Sequence, residues 1–345
     1  MTAASLIGTD LPLAEAYDLA LVDLDGVAYR GPLPIDHAAD GLTSARERGL
    51  RLVYVTNNAS REPESVADQL TTLGIPTQPD EVMTAAQAAA KVLETRLAPG
   101  AKVLVVGGAG LRTAVTTSGF TIVGSADDKP DAVVQGFAPE LGWADLAEAA
   151  YAVGRGAWYV ASNLDLSLPT ARGYAPGNGS LVGAVVNATG VTPDSAGKPS
   201  PRMYELAVER AGAERVLVVG DRLDTDLAGA RAGGYPGLHV LTGVNTARDD
   251  VLAEPHLRPH LIGEDLRALL VAHPEPRLEG GWWVSRGAAA RVNDGRLELD
   301  ETQLSTDADP VDIVRAACAA AWDSADSGAG AVDPASVPEF AVGDH

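Results

Sequence analysis

Cysteine is almost absent: Cys318 is the only one in 345 residues. No intrachain disulfide can form, and no zinc centre can be built on several thiolates. Aromatic side chains are scarce, at 5%, so the core has to be assembled mainly from Val, Leu and Ala. Basic residues are outnumbered, with 26 Lys and Arg against 47 Asp and Glu and a net charge of −21. That balance argues against a protein that grips nucleic-acid phosphates with clustered cations. It leaves room for a small anionic substrate, because a bound metal ion reverses the local field. No apolar run approaches the length of a membrane span. Met1 to Leu13 lacks a basic stretch followed by an apolar one, so no signal peptide is expected. A cytoplasmic protein that binds neither nucleic acid nor membrane is the expectation.

What is present is ordinary globular composition, 46% apolar and 21% charged, at a length that suggests two domains. Short apolar runs of the buried-strand kind lie at 17–22, 50–55, 103–106, 132–134, 158–161, 216–219 and 238–241. Segments with amphipathic helical spacing intervene at 63–73, 85–97, 143–153, 201–211 and 225–232. Alternation of this kind predicts an α/β fold, a Rossmann-like, doubly wound parallel sheet with helices on both faces. Functional residues then belong at the carboxyl ends of strands. Composition changes near Pro274-Glu275-Pro276. Beyond it come Trp282-Trp283, two strand-like runs around Asn293-Asp294-Gly295, and one helical stretch over 311–322. Asp-Gly between such runs signals a hairpin, so a small ββα-like module is predicted at 277–345, with a flexible end rich in Ser, Gly, Asp and Ala. No chemistry-bearing motif lies beyond Asp226, so removal of this module is expected to leave activity measurable.

The most informative stretch is Leu21-Val22-Asp23-Leu24-Asp25-Gly26. Residues i and i+2 of a strand point to the same side, and two carboxylates there repel unless a cation lies between them or one is protonated. An acidic loop at a strand end is the competing reading. The second strand ends in Thr56-Asn57-Asn58, where a hydroxyl and amides can donate to phosphate oxygens, although Asn-Asn is equally a turn signal. Lys198, between Gly197 and Pro199, would alone be a surface charge. Val216 to Val219 run into Gly220-Asp221, with Asp224 and Asp226 following. Oxygen ligands of this kind suit Mg²⁺, and helix capping is the alternative for Asp224 and Asp226.

In this order the four pieces resemble the motifs of the haloacid dehalogenase superfamily, over about residues 14–270. The interval of about 140 residues before Lys198 resembles the branch with a large α/β cap inserted there, which holds 4-nitrophenyl, phosphoglycolate, glycerol-3-phosphate, pyridoxal and nucleotide phosphatases. The stretch from Ala161 to Ser180 is similar to the cap-to-core return of that branch. The resemblance implies a core of residues 14–81 and 177–275 and a cap of residues 82–176. It implies that Asp23 is the nucleophile, forming an aspartyl-phosphate, and Asp25 the general acid and base. Mg²⁺ would be held by Asp23, the main-chain carbonyl of Asp25 and Asp221, with Asp226 holding the loop or a metal-bound water. Thr56, Asn57, Asn58 and Lys198 would bind the phosphoryl group. A carboxylate at position 25 fits an alcohol leaving group that needs a proton, so hydrolysis of a phosphate monoester is the expected reaction.

The substrate is expected to be a small phosphorylated metabolite. From Ser162 to Ser180 the chain offers Asn163, Asp165, Arg172 and Asn178 as specificity residues, with Tyr174 its only aromatic. That inventory favours hydroxyl recognition over ring stacking, hence glycerol 3-phosphate over 2-phosphoglycolate, pyridoxal phosphate or a nucleotide. A homodimer is expected, since related capped enzymes often pair through the cap. The alternatives are a regulatory protein acting through the C-terminal module, and a transferase. The module is too small for a complete acyl-CoA-dependent fold and lacks a glycine-rich pyrophosphate loop. Gly107-Gly108-Ala109-Gly110 does not meet dinucleotide-loop spacing and reads as a tight turn from strand to helix.

Overall fold

The computed structural model describes residues 5–342 apart from 171, 303, 306 and 307. The chain divides into two compact units, 1–52 with 211–345, and 53–210. The first unit is thus made from both ends of the sequence.

In the first unit the apolar run after Tyr17 becomes the strand Leu19–Val22, buried at all four positions. It pairs in parallel with Val216–Gly220, from Leu19↔Val216 to Val22↔Val219. Gly237–Val240 follows, then Leu261–Gly263, both parallel. Such uninterrupted apolar runs are what strands covered on both faces need. Gly41 allows the helix Ala38–Glu47 to sit tightly, because a Cβ there would come within 2.9 Å of the Leu266 backbone. The helix expected over 225–232 opens instead as a π-turn, Leu223–Leu227, and only Ala228–Ala232 is α-helical. That wider turn begins directly after the acidic strand end.

The second unit holds a five-stranded parallel sheet in the order Asp194–Ser195, Trp158–Ala161, Ala132–Gln135, Lys102–Val106, Thr121–Val123. It also holds Val82–Thr84, which pairs with the end of Arg51–Thr56. The helices marked by sequence spacing are present as Pro63–Thr72, Ala85–Glu94, Trp143–Gly154 and Arg202–Ala211. Thr84 starts the second of these with a reciprocal cap: its Oγ1 accepts from Gln87 N at 3.2 Å, and its own N–H donates to Gln87 Oε1 at 3.0 Å. The glycine-rich run is the turn into the helix Ala109–Thr117. A Cβ on Gly110 would lie 2.4 Å from Arg61 O, so glycine lets this turn press against the loop that follows Asn58.

The C-terminal module is larger than a ββα unit. It has four antiparallel strands, Arg277–Glu279, Trp282–Ser285, Ala288–Asn293 and Arg296–Asp300, followed by the helix Asp312–Asp326. Each hairpin turns on two residues of positive φ: Gly280-Gly281, Arg286-Gly287 and Asp294-Gly295. That geometry matches the right-handed twist of the strands it joins. The helix is inseparable from the rest of its unit. Val314, Ala317, Ala321 and Trp322 share one buried cluster with Leu6, Leu241, Val251 and Ile262. Arg315 Nη2 donates to Ile262 O at 2.7 Å. Past the helix, Arg248 holds the carbonyls of Pro334 and Val337 at 2.8 and 3.2 Å. Residues 343–345, the tip of the expected flexible end, lie outside the described residues.

Candidate active site

The acidic residues gather where two neighbouring strands of the first unit end. Leu19–Val22 delivers Asp23, whose N–H donates to Val219 O at 2.9 Å. Leu24 is buried and Asp25 exposed. Gly26 then turns the chain at φ 91°, donating to Tyr29 O at 2.8 Å. A Cβ on Gly26 would lie 2.4 Å from Asp221 Oδ2, so the turn and the second acid need glycine between them. Val216–Gly220 delivers Asp221, and the π-turn delivers Asp226; both are fully buried. Asp23, Asp221 and Asp226 each present an oxygen within 4.8 Å of the others. Asp226 is therefore as much a member of the cluster as Asp221. Asp224 points elsewhere, paired with Arg222 at 2.8 Å.

This donor set fits a divalent cation: three carboxylates, hard oxygen ligands, two directly after strands and one on the π-turn. Three anions so close repel strongly unless a cation or protons compensate. The surroundings fix the carboxylates by backbone. Asp221 Oδ2 accepts from Val244 N at 2.7 Å, and Asp226 Oδ2 accepts from Arg222 N at 3.2 Å.

A loop that sequence reasoning passed over completes the surroundings of the acid cluster. It follows the strand Gly237–Val240 as Leu241-Thr242-Gly243-Val244-Asn245. Thr242 Oγ1 donates to Gly26 O at 2.7 Å, and Arg30 Nη2 donates to Thr242 O at 2.8 Å. Asn245 N donates to Asp221 O at 3.2 Å, and Asn245 Oδ1 accepts from Leu223 N at 2.9 Å. Beneath it, the fully buried His239 faces Asp250 and the Asp221 carbonyl. Burial works against a charged imidazole, but the Asp250 carboxylate outweighs it and raises the His239 pKa. A histidine inside an apolar strand was the available signal. A cavity of about 430 Å³ opens alongside, lined by Arg30, Gly243, Asn245, Arg248, Glu339 and Phe340.

The remaining sequence-predicted residues lie in the second unit. Thr56 closes its strand, with Oγ1 accepting from Asn58 N at 3.1 Å. Asn58 Oδ1 folds the next turn, accepting from Ser60 N and Arg61 N at 2.9 and 3.1 Å. Lys198 is buried, its Nζ 3.3 Å from Val55 O. Asn57 ties it in place: Oδ1 accepts from Lys198 N at 2.9 Å, and Nδ2 donates to Asp165 Oδ1 and Oδ2 at 3.2 and 3.1 Å. Asn163 Nδ2 donates to Asn57 O at 2.7 Å, and Asn178 Nδ2 donates to Asn163 O at 2.7 Å. Asn163, Asp165 and Asn178 thus form one network with Asn57 and Lys198. Arg172 is exposed on the turn of the hairpin Ser167–Thr170 and Gly173–Pro176, and Tyr174 beside it is exposed as well.

Residues 20–121 match the haloacid dehalogenase-like hydrolase family and residues 195–269 a HAD-hydrolase-like family. D-glycerol 3-phosphate phosphatase of Mycobacterium tuberculosis is 45% identical over 318 residues, covering 90% of this chain and 88% of that protein. The chain belongs to the haloacid dehalogenase-like hydrolases. Acid sugar phosphatase of Staphylococcus aureus is 38% identical over 237 residues, covering 68% of this chain and 90% of that one. The crystal structure of a glycerol phosphate phosphatase from M. tuberculosis in complex with magnesium superposes with a TM-score of 0.82 at 44% identity, covering 91% of this chain and 92% of that one. Residues 280–338 match a GCN5-related N-acetyltransferase like domain. This haloacid dehalogenase-like hydrolase therefore carries a C-terminal module with a family likeness of its own.

Proposed function

We propose that this hydrolase is a Mg²⁺-dependent phosphatase of glycerol 3-phosphate. The coarser statement, a phosphoric monoester hydrolase acting on small phosphorylated compounds, is carried by its family and its named relatives. The observation that carries the finer one is the extent of the similarity. The 318 residues aligned with the M. tuberculosis D-glycerol 3-phosphate phosphatase exceed the 276 positions ahead of the C-terminal module, so the likeness runs into the module. The likeness to acid sugar phosphatase covers 68% of the chain. The polar side chains from Asn163 to Asn178 are in keeping with a polyol phosphate.

In the proposed mechanism, Asp23, Asp221 and the main-chain carbonyl of Asp25 hold Mg²⁺, and the position of Asp226 adds a third carboxylate to that group. Mg²⁺ supplies positive charge against the phosphoryl oxygens. An Asp23 carboxylate oxygen attacks phosphorus while the bond to the alcohol oxygen breaks. Asp25 gives that oxygen its proton, then takes a proton from the water that hydrolyses the aspartyl-phosphate, releasing inorganic phosphate and restoring Asp23. Thr56, Asn57, Asn58 and Lys198 are the proposed phosphoryl binders, with Asn163, Asp165, Arg172 and Asn178 around the leaving group. Residues 14–81 with 177–275 as core and 82–176 as cap, a homodimer and a cytoplasmic setting complete the proposal. Turnover of 4-nitrophenyl phosphate that stops in EDTA and returns with Mg²⁺ tests the chemistry. The ranking of kcat/KM among glycerol 3-phosphate, 2-phosphoglycolate, pyridoxal 5′-phosphate and UMP tests the substrate. A tenfold advantage for either ring-bearing compound rejects glycerol 3-phosphate.

A further inference from the structure

His239 sits on the strand Gly237–Val240 with no exposed surface, and both ring nitrogens face oxygen acceptors. Nδ1 is 2.8 Å from Asp250 Oδ2 and Nε2 is 3.1 Å from the main-chain oxygen of Asp221. A carbonyl can only accept, so Nε2 carries a proton and donates. Asp250 is equally buried, and its own carbonyl accepts from Trp322 Nε1 at 3.0 Å. Trp322 belongs to the C-terminal helix Asp312–Asp326 and is 3% exposed. Arg258 lies 5.2 Å from the centre of its ring and pairs with Asp326 of the same helix at 2.7 Å. One line of hydrogen bonds therefore runs from the module helix through Trp322, Asp250 and His239 to the backbone of Asp221.

Burying an ion pair of this kind brings little stability of its own, because desolvation offsets the Coulombic gain. What it does supply is direction. Asp221 O is fixed by His239 and Asn245 N while Asp221 Oδ2 is fixed by Val244 N. A residue clamped at both its carbonyl and its carboxylate has little freedom left to turn away from Asp23 and Asp226. We propose that His239 and Asp250 are positioning residues for Asp221, and that the C-terminal module acts on the acid cluster by holding this pair through Trp322. The proposal rests on the reading of Asp221 as a metal ligand. It gives the module a task in phosphate-ester hydrolysis that requires no ligand of its own.

The test is direct titration of Mg²⁺ into the full-length protein by calorimetry, for wild type and for Asp221→Asn, His239→Leu, His239→Gln, Asp250→Asn and Trp322→Phe. Circular dichroism in EDTA checks the fold of each. Groups that orient a metal ligand typically contribute 10–100-fold in affinity. Asp250→Asn and His239→Leu should weaken Mg²⁺ binding at least about tenfold. His239→Gln, whose amide can still donate to Asp221 O, should recover most of it. Trp322→Phe keeps an aromatic ring, though a smaller one, but loses the donor, and should weaken binding about threefold while the KM for 4-nitrophenyl phosphate at saturating Mg²⁺ stays within twofold. Loss of Mg²⁺ binding in Asp221→Asn with wild-type affinity in folded His239→Leu and Trp322→Phe overturns this proposal alone. Wild-type affinity in Asp221→Asn overturns the metal-site reading beneath it.

Discussion

Gly243 closes on Asp221 so tightly that a Cβ built on it would lie 1.9 Å from Oδ2. The loop thus reaches the carboxylate with backbone alone, and Val244 N donates to that same oxygen. Gly243→Ala should displace the Asp221 carboxylate and lower kcat for 4-nitrophenyl phosphate about 100-fold, the cost of an ångström-scale misplacement in a catalytic group. A melting temperature within a few degrees of wild type, read beside the kinetics, separates this from unfolding.

Asp23→Asn removes the proposed nucleophile and should cost at least about three orders of magnitude in kcat. Asp25→Asn should lose most activity and keep Mg²⁺ affinity, since only its carbonyl is proposed as a ligand. Metal titration alongside steady-state assays distinguishes the two variants.

Asp226 and Asp224 are two positions apart and have opposite fates. Asp226 is buried in the cluster, while Asp224 is surface-paired with Arg222. Asp226→Asn should weaken Mg²⁺ activation about tenfold or more, in the range found for residues that orient metal ligands. Asp224→Asn should leave it within about twofold, as expected for an exposed pair. Activity against Mg²⁺ concentration measures both.

Burial, aided by Arg231, lowers the pKa of His260 to about 4. Burial, aided by Arg315, lowers that of His273 to about 4. His260 Nδ1 accepts from Gly237 N at 3.0 Å, a bond that protonation at Nδ1 breaks. Above the unfolded value of 6.5 neither histidine takes up a proton on unfolding. As pH falls from there towards about 4, the unfolded chain binds protons that the folded chain refuses, and stability is lost. Each histidine accounts for roughly 2–3 kcal/mol across that window. Urea unfolding at intervals from pH 7.5 to 4.5 should show the decline, with a shallower slope in His260→Asn.

Truncation after Pro276 strips the buried cluster around Leu6, Leu241, Val251 and Ile262 of most of its members. Loss of so many apolar contacts, at several kcal/mol for each large buried side chain, should leave no cooperative thermal transition in calorimetry. The sequence reading expects measurable activity without the module, and calorimetry beside a 4-nitrophenyl phosphate assay of the truncated chain decides between the two outcomes.

Much of this architecture was legible because the buried strands are continuous apolar runs. Val216 to Val219 and Trp158 to Ala161 declare themselves, and the rule of carboxyl ends led directly to Asp23 and Asp221. Strands of two or three residues such as Asp194–Ser195 and Thr121–Val123 carry too little periodicity to be seen. Gly280-Gly281 was a hairpin signal as sound as Asp294-Gly295, but short flanking runs hid it, and Arg286-Gly287 carries no such signal because arginine rarely adopts the positive φ it has there. The clamp on Asp221 was invisible for another reason. Val244 and Asn245 act through backbone and a short amide, and nothing in their identity marks them. Asn163 and Asn178 read in the sequence as polar residues for a leaving group, and in the structure their side-chain hydrogen bonds go to backbone carbonyls and to the Asp165 N–H, a use that composition cannot distinguish.

The pairing of Leu19–Val22 with Val216–Gly220 has a consequence during synthesis. Asp18 Oδ1 accepts from Arg215 N across 197 positions, so the first strand leaves the ribosome long before this one of its two neighbours exists. At translation rates of about 5–20 residues per second, that wait is roughly 10–40 s. Throughout it, the edge of Leu19–Val22 that this neighbour covers stays open on the nascent chain. Asp23 cannot meet Asp221 in a product that stops before residue 221, so chains shorter than that never assemble the acid cluster.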